Sequence, residues 1–274
     1  MTSLSRLILM MVGLTFCSFY VAADETALLN KAATGAHRSD KNIARNAWRH
    51  PVETLAFFGI TNDMKVAEVW PGSRGWYTEV LAAYLRDNGT LLTLNYDGST
   101  GVGYFARGDK NFRDKLAADP AVYDKVVVAN LMPPESYPDL GELQGNLDMV
   151  LTFRNIHNWV RNGIAEQMFE QMYGLLKPGG TLGLVAHRGT DAMTDKSHAT
   201  TGYLAESVIL GLAKGAGFEL SGRSEINANP KDTKDHPEGV WTLPPSYRLG
   251  DVDREKYQAI GASDRMTLKF TKPE

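Results

Sequence analysis

The chain has 274 residues, 43% of them hydrophobic and 22% charged, with a formal net charge of −3. That composition suits a soluble globular protein of one large domain or two small ones. Basic and acidic residues are mixed without a Lys/Arg run, which argues against nucleic acid or an anionic membrane as partner.

Residues 1–23 differ from the rest. Arg6 precedes an apolar run from Leu7 to Val21, and Val21-Ala22-Ala23 puts small residues at the −3 and −1 positions of a cleavage site. The segment reads as a signal peptide, with a mature chain starting near Asp24 and exported to the periplasm or beyond. An uncleaved anchor is the competing reading, but the run is short for a span of roughly 20 residues. Cleavage would remove Cys17, the only cysteine, and with it any disulfide or thiolate site. No later apolar run is long enough to span a bilayer.

Residues 24–49 are polar and Ala-rich, with charges at His37, Arg38, Asp40, Lys41, Arg45 and Arg49, and read as an N-terminal arm or helix. The main domain is expected over 50–274. Pro51 suits the first turn of a helix, Val52, Leu55, Ala56 and Phe58 give it an apolar face, and Gly59 ends it.

Strand and helix patterns then alternate. Strands are predicted at Met64–Val69, Thr90–Leu94, Lys125–Ala129, Leu147–Phe153, Thr181–Ala186, Phe218–Ile226 and Arg265–Thr271. Helix faces between them are marked by Tyr77, Val80, Leu81 and Tyr84; by Phe105, Phe112 and Leu116; by Ile164, Met168, Met172 and Leu175; and by residues 203–216. Lys177-Pro178-Gly179-Gly180 reads as a helix stop. Residues 131–146, with three prolines, read as loop, and the polar stretch 227–262 as a lid-like insertion. Alternation of this kind gives an α/β fold with a mostly parallel sheet. Ligands in such sheets bind beyond the carboxyl ends of the strands, here the loops at 70–76, 95–103, 130–146, 154–160 and 187–200.

Three of those loops carry chemistry. Glu68-Val69-Trp70-Pro71-Gly72-Ser73-Arg74-Gly75-Trp76-Tyr77-Thr78 is a Gly-rich strand-to-helix turn, which lets backbone approach a ligand. Arg154, Asn155, His157 and Asn158 follow the fourth strand, and His187 and Arg188 the fifth. Two histidines on neighbouring strand ends face one cleft, as base or as metal ligands; a histidine capping a helix or bonding a carbonyl is the plainer reading of each. Trp76, Tyr77 and Trp159 line a pocket or fill the core. Asp191, Asp195 and His198 match no strong metal signature, so no metal site is assigned.

LDMVLTFRNIHNW and LLKPGGTLGLVAHR, with the turn at Glu68, resemble the class I S-adenosylmethionine methyltransferases. With WPG…GWYTEVLA, SEINANPKDTKDHPEGVWTLPPSYR and SDRMTLKF, the chain is similar to a bacterial family of exported "predicted methyltransferases" over roughly residues 45–271. The resemblance implies a Rossmann-like, mostly parallel seven-stranded sheet whose last strand is antiparallel. It implies S-adenosyl-L-methionine over Pro71, Gly72 and Gly75, with Glu68 near its methionine moiety and Tyr77 beside it. Adenine would lie between the second and fourth strand ends. The chain departs from the pattern at Trp70, where glycine is common, and at Asn95, where an acidic residue usually holds the ribose; Asp97 follows two residues later.

The function expected is methyl transfer from S-adenosyl-L-methionine to a small molecule, with His157, His187, Arg154 and Asn155 as catalytic candidates and a histidine as base. Two rivals stand beside it: an exported ligand-binding protein on a decayed methyltransferase fold, and a metal enzyme using His157 and His187.

Overall fold

The computed structural model describes residues 24–134 and 136–274; the signal segment read from the sequence lies outside them. Seven strands form one sheet: β1 (Lys65–Val69), β2 (Thr90–Asn95), β3 (Val127–Asn130), β4 (Leu147–Phe153), β5 (Leu176–His187), β6 (Glu219–Ser224) and β7 (Arg265–Thr271). Their order is β3-β2-β1-β4-β5-β7-β6. The last strand runs antiparallel, as expected, and slots between β5 and β6, while the other pairs are parallel. The order reverses between β1 and β4, and this switch point is where a doubly wound sheet opens a crevice.

The central strands are apolar on both faces because helices cover both. Along β1, Ala67 and Val69 point to one core cluster and Val66 to the other; along β4, Val150 opposes Met149 and Leu151. One face is covered by α4 (Pro51–Phe58) and α5 (Trp76–Leu85), the other by α8 (Ile156–Asn162), α9 (Ala165–Leu175) and α11 (Glu206–Gly215). Pro51 opens α4 and Gly59, at φ 84°, ends it, so the start and stop signals act as read. Fully buried side chains such as Phe58, Leu81 and Phe169 each contribute roughly 1.5–3 kcal/mol of burial.

Residues 24–49 fold back onto the domain. They form α1 (24–34), α2 (Asp40–Ile43) and α3 (Asn46–Arg49). Leu29, Ala32 and Ala33 join the core cluster of α4 and α5. Arg38 is buried and donates from Nε to Glu79 Oε2 at 3.1 Å, which neutralises a charge on α5.

The segment read as a helix stop does more than stop a helix. The helix ends at Leu175, and Leu176–Gly180 is the bulged start of β5. Gly179, at φ 74°, donates its N–H to Lys272 O at 2.9 Å, and Lys272 returns one to Gly180 O. The polar stretch 227–262 holds a short 3₁₀ turn at Gly239–Thr242 and a helix at Arg254–Ile260. Buried Asp232 ties it down, accepting from Tyr203 Oη (2.9 Å), His236 Nε2 (2.9 Å) and Asp264 N (2.7 Å).

Candidate functional site

The turn between β1 and α5 is built from three left-handed residues, Trp70 (φ 52°), Gly72 (φ 72°) and Gly75 (φ 50°). The two glycines serve different ends. A Cβ at Gly72 would meet only Tyr96 Oη, at 3.9 Å, so the backbone there faces open space. A Cβ at Gly75 would lie 2.7 Å from Thr78 Oγ1 and 2.8 Å from Phe112, so Gly75 is required by packing and does not face a ligand. Beneath the turn, buried Glu68 accepts from Thr78 Oγ1 at 2.6 Å. Burial raises its pKa to about 7, although the Thr78 bond and nearby cations oppose the rise. Asn155 fastens the turn to β4: its Nδ2 donates to Val69 O at 3.0 Å and Trp70 O at 3.1 Å.

Trp70 occupies the position where glycine is common, and its positive φ shows why. Its indole is buried, edge-on to Tyr96 (4.8 Å between centroids) and Trp159 (5.8 Å). Asn95 and Asp97, the expected ribose partners, do not reach the cavity wall. Asn95 is fully buried and donates to Asp109 Oδ1 at 3.3 Å, and its own Oδ1 has no partner. Asp97 Oδ1 accepts from Ser99 N (2.8 Å) and Ser99 Oγ (2.6 Å). Tyr77 is also turned away: it stacks on Phe153 at 3.5 Å and donates its hydroxyl to Arg49 O at 3.1 Å.

Beyond the strand ends lies a cavity of about 390 Å³ whose walls include Pro71, Gly72, Tyr96, Tyr104, Asn155 and His157. It adjoins a second, of about 430 Å³, through three shared wall residues, Arg154, His187 and Trp241. Arg154 is held at φ 64°, with its N–H on Val185 O at 2.6 Å. Its pKa falls to about 10, chiefly through burial and then Arg265.

His157 and His187 come together, with ring centroids 5.6 Å apart. His187 Nδ1 lies 2.6 Å from Ser263 Oγ. His157 packs against Trp241. Burial first, then Arg161 and Arg154, pushes the His157 pKa down to about 3. Burial, His157 and Arg154 hold His187 well below its ordinary value. Both rings are therefore neutral proton acceptors at neutral pH. Among the described residues, no group of three or more His, Cys, Asp and Glu side chains is placed to hold a metal ion. Asp195 instead caps the short helix at Lys196–Ala199.

The sequence reading missed Arg49, Arg265, Ser263 and Trp241 as site residues. Each reaches the cavities through long-range folding, such as Arg265 Nη2 donating to Trp48 O, and no local spacing signals it.

No family model matches the sequence, and no curated protein does. Solved structures share the fold at low sequence identity. A SAM-dependent methyltransferase from Aquifex aeolicus superposes with a TM-score of 0.53 at 11% identity, over 84% of this chain and 93% of that one. The [4+2]-cyclase SpnF gives 0.55 at 16% identity, over 93% and 94%. The glycopeptide N-methyltransferase MtfA complexed with sinefungin gives 0.50 at 13% identity, over 82% and 86%. A cyclase stands among the methyltransferases, so shape fixes the scaffold and leaves the chemistry to the site. With its sheet order and antiparallel seventh strand, the chain has the class I methyltransferase fold.

Proposed function

We propose that the protein binds S-adenosyl-L-methionine in the Gly72 cavity and supports transfer of its methyl group to a small molecule. The observation that carries this reading is the position of the cavity: it opens beyond the carboxyl ends of β1 and β4, at the switch point, against backbone that only glycine leaves uncovered. The volume falls in the range of small-molecule pockets. The residues fit the cofactor: Pro71, Gly72, Tyr96, Tyr104 and Asn155 would hold it. Trp70 narrows the side toward β3, and Asn95 and Asp97 take no part. The cofactor supplies an activated methyl group on sulfur.

The chain contributes position and a base. His157 lines the same cavity, is neutral, and has no hydrogen-bond partner among the described residues, so its ring nitrogen is free to accept a proton from an O–H or N–H acceptor. His187, oriented by Ser263, completes the wall. Arg154 and Trp241 orient the acceptor between the two cavities. Export, with maturation near Asp24, belongs to the same proposal and rests on the Arg6, apolar-run and Val21-Ala22-Ala23 pattern; the intact mass of the protein from the cell envelope tests it.

A second reading draws on Trp70 and Asn95. The pinned indole and the Asn95–Asp109 pair favour a ligand-binding protein that has kept the fold and lost the transfer. Calorimetry of the purified protein with S-adenosyl-L-methionine and S-adenosylhomocysteine separates the two. Binding of both is expected; silence at millimolar ligand defeats the methyl-transfer reading and leaves the second.

A further inference from the structure

The larger cavity is ringed by cations that no carboxylate on its wall balances. Lys41, Arg45, Arg49, Arg154, Arg254 and Arg265 all line it, and no aspartate or glutamate does. Among the described residues only Arg254 has a carboxylate within 4 Å, exposed Asp251 at 4.0 Å; Glu79, Glu68 and Asp264 act on Arg45, Arg154 and Arg265 from farther away. Arg49 is almost wholly buried, and its Nη1 has no hydrogen-bond partner. It stacks on Trp76, 4.4 Å from the ring centroid, and Arg38 lies 4.6 Å from the same centroid. Arg265 is equally buried and donates only to main-chain carbonyls, Ser263 O and Trp48 O. Among the described residues, the Arg154 side chain makes no hydrogen bond.

Packing guanidinium groups together away from water is costly unless an anion compensates them. The cost is visible in their acidities: Arg45 falls to about 10 and Arg49 well below its ordinary value, through burial first and neighbouring arginines next. The planar fork of arginine matches carboxylate and phosphate oxygens. The remaining walls are flat and apolar, with Trp48, Trp241, Pro244, Pro245 and Tyr247. Such walls suit a ring or short apolar body and would leave a bare inorganic ion loosely held.

We propose that this cavity binds a small oxyanion, a carboxylate or a phosphate, carried on an aromatic or apolar body. That such a ligand is the methyl acceptor rests on the methyl-transfer reading. Through the shared wall at Arg154, His187 and Trp241, a molecule anchored here extends toward His157 and the Gly72 cavity.

The test is calorimetry of the full chain at low ionic strength, without S-adenosyl-L-methionine, using benzoate, phenyl phosphate, neutral benzamide and cationic benzylamine. Benzoate or phenyl phosphate is expected to bind at least tenfold more tightly than benzamide, and benzylamine not to bind; which anion is preferred identifies its source. Arg45→Gln, and separately Arg254→Gln at the exposed rim, should each weaken the anion roughly tenfold, as for loss of one charge-assisted hydrogen bond. Unchanged melting temperatures would show both variants folded. Equal binding of anion and amide, or anion affinity indifferent to both substitutions, overturns the proposal. S-adenosyl-L-methionine is titrated in parallel: anion binding without cofactor binding keeps this site and defeats methyl transfer, and cofactor binding without anion binding does the reverse.

Discussion

The Trp70 indole donates Nε1–H to the carbonyl of Leu131 at 2.8 Å, joining the end of β1 to the chain beyond β3. β2 lies between those strands, so the indole passes over its end and meets Tyr96 there. One side chain thus braces three strand ends and narrows the cavity on that side.

Trp70→Ala should therefore do two things. Removing a buried tryptophan should cost about 3–5 kcal/mol of stability, read by urea denaturation. The opened seat should bind S-adenosylhomocysteine more tightly than the wild type. Weaker binding would mean that the indole is a platform for the ligand and not a restriction on it.

The two turn glycines should respond differently. Gly72→Ala places a methyl in open space, so its cost is left-handed strain alone, about 1–2 kcal/mol. Gly75→Ala adds the collisions with Thr78 and Phe112 and should lower the melting temperature further. Gly72→Val, whose bulk enters the cavity, should abolish S-adenosyl-L-methionine binding while circular dichroism still reports a folded chain. Retained affinity in Gly72→Val would move the cofactor away from this turn.

Glu68 sets a pH dependence of unusual sign. Its folded pKa of about 7 lies above the ordinary value of 4.5, because burial disfavours the carboxylate. Between those values the folded protein holds the extra proton, so this group's contribution to stability is full below about 4.5 and is lost as pH rises through 7. Glu68→Gln keeps an acceptor for Thr78 and does not titrate. Its stability relative to wild type should climb by about 3 kcal/mol from pH 4.5 to 7 and then level off. A difference that is flat with pH would show that Glu68 is ionised throughout.

The strands were legible because their signals are local. Leu147–Phe153 and Arg265–Thr271 are apolar or alternating runs bounded by turn residues, and they occupy the bounds read for them. The histidines were legible for the same reason: His157 follows β4 and His187 ends β5, and parallel neighbours bring those ends together. What local pattern could not show is where a loop side chain turns. Asn95 ends its strand, one residue beyond the bound read for it, and Asp109 on the following helix draws it inward. The arginine cavity was hidden altogether. Arg45 and Arg49 come from the folded-back N-terminal segment, Arg154 from a strand end and Arg265 from the last strand, so a charge count along the chain averages them away.

His157 gives a further test, with the opposite sign to Glu68. Its folded pKa of about 3 lies below the ordinary 6.5, because burial and the Arg161 and Arg154 charges disfavour the imidazolium. Below pH 6.5 the unfolded chain takes up a proton that the folded chain refuses until about pH 3, so stability falls as pH drops through that window. Replacing the ring by a group that does not titrate, as in His157→Asn, should flatten this limb. Relative to the variant, the wild type should lose about 2 kcal/mol between pH 6.5 and 4.5. A constant packing loss in the variant drops out, because the slope is what is read. The same neutral ring bears on the proposed chemistry. As a base that needs no deprotonation, His157 should give turnover no acidic limb near 6.5, and His157→Asn should lower turnover while leaving S-adenosyl-L-methionine affinity nearly unchanged. An acidic limb near 6.5 that disappears in the variant would mean that the ring is solvated and protonated in the working protein. An unchanged turnover would remove His157 from the reaction and leave it a wall of the cavity.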